Sequence, residues 1–508
     1  MATPLQSQII NVLPRRLLAS LWASQETRLS LSQFSNISST FNNNNNNRLN
    51  IKNNNNNNHG NKKPSVTTQS FLCEELPIRY SHILRLLSTL TPDQLQTPMI
   101  RHVAHRYLHD MCTLLHPSLQ TTSDHAFTDL IRKLRTRQAA SLIRIRYALY
   151  QQQQQQQQHN HNNHTILLDH INTVGLGIQF LTDQHLLGSS FSKEQTNEQE
   201  RVQTIQPVAI AMQAVQDARQ LMASCLGQKE HHIPTISIQE QPNLSSLEFI
   251  PQVLYRMLFE STLLTLRARL LDQQQGFNKT STSSSSWRHV FNPTTLFNQQ
   301  KLLSQQHNKI HMDIFNGPTS IGFRLTSPSP LLPNDLNPDI PRDPLGIPTC
   351  ASLLSRTEPN RLQDDLDLHE DVEWHVWSGW RAAKALASHW GGNLDVVSVQ
   401  GLGSTLYLAL DRDPSLLERY PSKRTLNWSA YHLLHHHRRM AAIAAANNHH
   451  HQNNGQLSLQ AAQDQFNAFL NAISSESNTM NDNMILRRDD AYHNVSLSAA
   501  VAAAVAHG

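Results

Sequence analysis

Apolar residues recur at helical spacing through most of the chain between residues 71 and 271. Leu76, Tyr80, Ile83, Leu84 and Leu87 mark one face of a first helix, which Pro92 ends, with Thr91 available to cap the next turn. A second run, Ile100 to Leu115, places Val103, Tyr107, Leu108, Met111 and Leu115 inward. The third, Phe127 to Tyr150, carries Arg132, Lys133, Arg135, Arg137, Arg144 and Arg146 on its outward face, and a fourth covers Ile166 to Leu187. Four successive amphipathic helices predict an antiparallel bundle. From Pro207 the pattern alternates: a helix Val208 to Leu226, a short strand Thr235 to Gln239, and a helix Pro251 to Leu271. Paired strands Ile310 to Phe315 and Ile321 to Leu325 follow around an Asn316-Gly317 turn. A helix Trp380 to Trp390 then leads through Gly391-Gly392 to strands Asp395 to Gln400 and Thr405 to Leu410. The fold class read from these periods is α followed by α/β, a four-helix bundle and then an α/β sandwich.

Composition trims the foldable length. Asn42 to Asn47, Asn53 to Asn58, Gln151 to Gln158, Ser283 to Ser286 and the His/Asn-rich stretch His449 to Asn454 carry no hydrophobic pattern and read as disordered inserts. Without them the 508 residues still leave roughly 330, ample for two ordinary cores. The expected division is a leader at 1–70, a helical bundle at 71–189, an α/β domain at 190–430 and a low-complexity tail at 431–508. A net charge of +4 is too small and too dispersed for a nucleic-acid surface. Cys73, Cys112, Cys225 and Cys350 lie far apart without CxxC pairs, so they read as free thiols in a reducing compartment. No run of apolar residues is long enough to span a bilayer. Up to residue 36 the chain holds Arg15, Arg16 and Arg28 against one acid, Glu26, among leucines and serines, which is transit-peptide composition; a generic basic tail has the same look.

The segment Phe249 to Arg267, FIPQVLYRMLFESTLLTLR, sets Glu260 within the apolar run Leu254, Met257, Leu258, Leu264 and Leu266. An ionised carboxylate there is costly without a partner. A salt-bridged structural glutamate and a catalytic one are both compatible with the spacing.

This segment resembles the start of the nucleotide-binding domain in the mitochondrial kinases that phosphorylate pyruvate dehydrogenase and branched-chain ketoacid dehydrogenase. Phe71 to Thr97 resembles the first helix of that family's regulatory domain, and Asp183-Gln184-His185 matches a triplet at the end of its last bundle helix. Leu394 to Leu410 resembles the family's last glycine box and closing strand, and LLERYP with Trp428 its final strand and helix. The resemblance implies a bundle that docks the lipoyl domain of the acyltransferase core of a 2-oxoacid dehydrogenase complex. It also implies an ATP-binding sandwich like that of histidine kinases, gyrase and heat-shock chaperones, with MgATP as cofactor and a serine of the decarboxylase component as substrate. The implied location is the mitochondrial matrix, and the family forms dimers, here homodimers or heterodimers with kinase relatives. No nucleic-acid partner and no metal site of the chain's own are expected.

Carried onto this chain, the resemblance makes Glu260 the catalytic carboxylate and gives Glu260, Arg267, Gly379, Gly401, Gly403 and Ser404 as nucleotide contacts. Several positions depart from the family pattern. Leu264 stands where an asparagine would hold Mg²⁺, and leucine offers no oxygen to a hard cation. Arg256 replaces a histidine one turn before Glu260 and is spaced to pair with it. Ser327 stands at the adenine-binding aspartate, with Ser329 and Leu331 at glycine positions and Pro328 and Pro330 lacking N–H donors. Of the third box, HVWSGW keeps only Gly379. In the fourth bundle helix, Gly175 and Gln179 replace two arginines. Two main readings stay open, an active protein-serine/threonine kinase and a silent pseudokinase that docks lipoyl domains and regulates active kinases. A third, metal capture by the runs His435 to His437 and His449 to His451, is the weakest.

Overall fold

A computed structural model describes residues 14–34, 68–155, 161–188, 202–226, 230, 233–241, 246–281, 309–331, 377–422, 425–426 and 459–474. In chain order the helices and strands are α1 (Arg15–Ala23), α2 (Thr68–Leu87), α3 (Pro92–Leu95), α4 (Pro98–Leu114), α5 (Asp124–Gln155), α6 (His161–Gly188), β1 (Gln203–Ile205), α7 (Pro207–Leu226), β2 (Ile236–Glu240) and β3 (Leu247–Phe249). After these come α8 (Pro251–Ser281), β4 (Ile310–Asn316), β5 (Ser320–Ser327), α9 (Trp380–Ser388), β6 (Asn393–Val399), β7 (Gly403–Asp411) and α10 (Leu459–Ser474).

Local chemistry sets several of these boundaries. Thr91 and Gln94 form a reciprocal capping box at the start of α3, the side chain of each accepting from the other's backbone N–H. Pro98, Pro207 and Pro251 each occupy the first residue of a helix, where a missing N–H costs nothing. In the helical half, α2 packs against α4 and α6, α4 against α5, and α5 against α6, a cycle of neighbours around one apolar interior. Leu76, Tyr80, Ile83, Val103, Tyr107, Met111, Leu142 and Val174 are all buried in it.

The second half holds a five-stranded sheet in the order β2-β4-β5-β7-β6, parallel only between β2 and β4. That parallel pair requires a crossover, and α8 lies within it. Ile310, Met312, Ile314, Ile321, Phe323, Leu325, Leu406, Leu408 and Leu410 alternate onto the buried face. Over it, α8 packs on β5 and α9 on β6 and β7. The turn between β4 and β5 closes with the Gly317 N–H donating to the Ser320 carbonyl at 2.8 Å. The β1–β3 ribbon stands apart from this sheet.

Two described stretches outside the expected bundle and sandwich belong to the fold. Residues 14–34 pack on α2, and α10 lies against α1, with the Trp22 ring 5.5 Å from Phe466 and 5.8 Å from Phe469. Composition concealed both, α1 among arginines and leucines and α10 between low-complexity runs. The LLERYP segment contributes no strand, only a single bridge between Leu417 and Ser30; Trp428 lies outside the described residues. Nor is the basic face of α5 wholly outward, since Arg146 is buried and Arg135 and Arg137 pair with Asp183 and Asp110.

A buried ion cluster joins the halves. Arg79, wholly enclosed, donates to Glu75 at 2.8 Å and to Glu418 at 2.5 and 3.1 Å. Burial alone would raise the Glu418 carboxyl, but Arg79 and His389 outweigh it and hold it at about 2. His82 beside it donates from Nε2 to the Ser24 carbonyl at 3.0 Å, and its Nδ1 shares a 2.7 Å hydrogen bond with the Tyr420 hydroxyl. Burial, reinforced by Arg85, brings His82 down to about 3.

Both depressed values make stability fall in acid. The unfolded chain takes up protons at His82 from about pH 6.5 and at Glu418 from about pH 4.3, each before the native state does. Unfolding free energy in urea is therefore expected to be intact above about pH 6.5 and to fall as pH drops toward 3. Glu418→Gln should remove the component below about pH 4.3 and, at neutral pH, cost about 3 kcal/mol by leaving Arg79 undercompensated.

Candidate functional site

Glu260 lies mid-helix on α8 with its carboxylate turned into the interior. One turn earlier, Arg256 approaches one of its oxygens at 2.7 Å, and the Gly379 N–H donates to the other at 2.8 Å. Glu260 and Arg256 are 7% and 5% exposed, so this is an enclosed pair rather than a rim contact. Burial lowers the Arg256 guanidinium, opposed by Glu260 and Tyr255. Arg256 also donates from Nε to the Trp377 carbonyl at 3.2 Å. The residues just before α9 are thereby fastened to α8 at two points.

Gly379 is the cap residue of α9, with φ at +93° and open space where a Cβ would stand. Its N–H is turned to a carboxylate of the chain itself. Trp377, two residues earlier, is buried, donates its indole N–H to Gln179 of α6, and lies under the Arg146 guanidinium, 5.6 Å from its ring centroid. Arg146 in turn donates to Asn172 at 2.7 Å. The tryptophan thus forms the joint between the helical half and the α8–α9 pair. Around it runs a small cleft lined by Arg135, Gln138, Leu142, Gly175 and Gln179.

Leu264, one turn after Glu260, is buried among apolar neighbours at 6% exposure. Arg267, on the same helix, is half-buried. Among the described residues no group of three His, Cys, Asp or Glu could hold a metal ion.

The remaining predicted residues gather at the end of β5. Ser327 closes that strand, paired with Ser404 of β7, and both are buried. The Ser404 hydroxyl donates to the Ser329 carbonyl at 2.7 Å. The Ser329 hydroxyl donates to Asp272 at 2.8 Å and accepts from Arg269 at 3.1 Å, both on α8. Leu331 exchanges hydrogen bonds with Ser398, its N–H donating at 2.8 Å and its carbonyl accepting at 3.0 Å. Residues 327–331 are therefore stitched down onto α8, β6 and β7. Gly403 has φ at +107°, and a Cβ there would stand 2.2 Å from the Ser327 carbonyl and 2.9 Å from Pro328. Gly401, with φ at +83°, has nothing near it and is the apex of the β6–β7 hairpin beside the exposed Leu402.

The structure therefore brings Glu260 to Gly379, and Gly403 and Ser404 to Ser327, while Gly401 stands apart. Sequence spacing foretold the Arg256–Glu260 pair. It missed Gln179 and Arg146, whose engagement with Trp377 links residues far apart in the chain and has no local signal.

Residues 30–206 match the family model of the mitochondrial branched-chain alpha-ketoacid dehydrogenase kinase. The chain is 23% identical over 216 residues to human pyruvate dehydrogenase (acetyl-transferring) kinase isozyme 1, mitochondrial, covering 40% of this chain and 50% of that one. To mouse isozyme 4 it is 22% identical over 319 residues, 60% of this chain and 73% of the relative. The chain thus spans half of the human isozyme 1, and the longer alignment extends beyond the helical region that ends at Gly188.

Two outcomes follow from the geometry. Arg256→Met should destabilise the fold by about 3 kcal/mol in urea unfolding, most of it recovered when Glu260→Met is added, because the isolated charge and not the loss of the pair is what costs. Gly403→Ala should cost at least twice the about 1 kcal/mol expected for Gly401→Ala, since only Gly403 meets backbone.

Proposed function

Because the chain is a divergent member of the pyruvate dehydrogenase kinase and branched-chain ketoacid dehydrogenase kinase family, we propose that it is a mitochondrial matrix protein that docks on a 2-oxoacid dehydrogenase complex without transferring phosphate. The helical half supplies the docking, to the lipoyl domain of the acyltransferase core. The α/β half keeps the family's scaffold and has lost the chemistry that used it.

The observation that carries this reading is the double engagement of Glu260. A general base must present its carboxylate to a substrate hydroxyl and not be buried in a fixed ion pair, and a kinase carboxylate works beside a metal that neutralises the phosphates. Here one oxygen is held by Arg256 and the other by the Gly379 N–H, the donor that a phosphate would need at the start of α9. Leu264 offers no ligand to Mg²⁺. Residues 327–331 are hydrogen-bonded to the chain's own helix and strands, and Pro328 and Pro330 have no N–H to give. The residues present do not fit MgATP.

The active-kinase reading has one observation in its favour: Glu260 and Gly379 of two separate boxes do meet. In that reading Glu260 is the catalytic carboxylate and Gly379, Gly401, Gly403, Ser404 and Arg267 surround MgATP. Regulation of active kinase relatives, by competition for lipoyl domains or by heterodimer formation, belongs to the docking reading.

Isothermal titration with ATP, with and without Mg²⁺, followed by titration with a lipoyl domain, separates the two. The expected result is no magnesium-dependent ATP binding alongside intact lipoyl-domain affinity. Micromolar MgATP binding, with phosphate transfer abolished by Glu260→Gln, would establish the kinase. Leu264→Asn alone should restore neither binding nor transfer, because Arg256 and residues 327–331 still stand in the way.

A further inference from the structure

The basic, leucine-rich stretch at the start of the chain has the composition of an import signal, yet its described part is built into the fold. Along α1, Leu18, Ala19 and Trp22 are wholly buried, and Arg16 and Leu17 are exposed. The helix is amphipathic in the sense that a targeting helix is, but its apolar face already has a partner: Phe466 and Phe469 of α10 hold the Trp22 ring, and Gln465 accepts its indole N–H at 3.3 Å.

The backbone from the last turn of α1 onward is held as firmly as its side chains. Arg85 donates to the Trp22 carbonyl at 2.8 Å, Ser81 to the Leu21 carbonyl at 3.0 Å and His82 to the Ser24 carbonyl at 3.0 Å, all from α2. The Thr27 N–H donates to Glu75, and the Thr27 carbonyl accepts from Arg79 at 2.8 Å. Leu29 and Glu418 bond in both directions, side chain and main chain, at 3.1 and 2.9 Å. Phe34, 1% exposed, packs edge-on to Trp390 at 6.2 Å. Cleavage beyond Leu29 followed by loss of the leader would strip partners from Arg85, Glu75, Arg79 and Glu418 in the interior, where each unpaired group is expensive, and a cut earlier in 15–29 would shorten or remove the helix α1 that packs on α2 and α10.

We propose that residues 14–34 are part of the mature protein: the helix that reads as a targeting signal is retained as a structural element, and presequence cleavage takes place no later than the bond before Pro14. The proposal uses the mitochondrial reading given above only to say where processing happens; retention itself rests on the packing.

The test is import of the full chain, tagged at its C-terminus, into isolated mitochondria, with intact-mass measurement of the protease-protected product. The expected product begins at or before Pro14. A stable, protease-protected product that begins within 15–36 or later would overturn the proposal. Failure to import would count against the mitochondrial reading alone, and a second measurement then decides retention. In limited trypsin digestion of the purified full chain, the bond after Arg28 should survive as long as bonds within α2, and Trp22→Ala should speed its cleavage about tenfold or more. Cleavage after Arg28 in the native chain as fast as in the urea-unfolded chain would overturn the proposal whatever the import result.

Discussion

The fold depends on one guanidinium. Arg79 has no access to solvent, and its charge is answered from two directions: Glu75 one turn away on the same helix, and Glu418 from beyond the last strand of the sheet. An arginine in such a place is tolerable only when its nitrogens are well partnered, and with the Thr27 carbonyl all three of them donate. The cluster therefore fixes three segments at once, the N-terminal stretch, the first bundle helix and the chain after β7. Even a glycine serves it. A Cβ on Gly177 of α6 would stand 2.1 Å from an Arg79 nitrogen and 2.8 Å from a Glu418 oxygen, so a mid-helix glycine, costly by propensity, makes the notch the ions need.

The second buried pair, Arg256 with Glu260, is built on the same logic but stands where the family resemblance puts chemistry. The two clusters differ in reach. Arg79 connects segments that sequence keeps far apart, whereas Arg256 and Glu260 sit one turn apart and borrow a distant N–H and carbonyl from residues 377–379. The Glu260 carboxylate fastens the start of α9, and Trp377 relays that fastening to α6 through Gln179 and Arg146.

Legibility in the sequence followed the range of the interaction. The strands around Asn316-Gly317, the helix entered through Pro251 and the Arg256–Glu260 pair were all readable, because their signals lie within one turn or one hairpin. Helix α10 was also written locally, in Ala462, Phe466, Phe469 and Ile473, but the surrounding Asn, His and Ala runs masked a stripe of ordinary amphipathic spacing. The outward placing of Arg146 failed because a helical wheel assigns a cation to solvent and cannot know that a tryptophan two hundred residues on will cover it. Glu418, within LLERYP, gave no sign of its burial, since its partner is contributed by the other half of the chain.

The pairing of α1 with α10 sets the first described element of the chain against the last. Trp22 and Gln465, which share a hydrogen bond, are 443 positions apart. A chain emerging in order from a ribosome or a translocation pore must carry the apolar face of α1 uncovered until α10 has emerged, which is a long exposure for a tryptophan-bearing helix. Closure of this contact is then the final step of assembly, paid for in loop entropy that rises only slowly with the length of the intervening chain. A protein of this kind tolerates long insertions between the two helices far better than loss of α10, and its folded state reports, in one contact, that α10 has arrived.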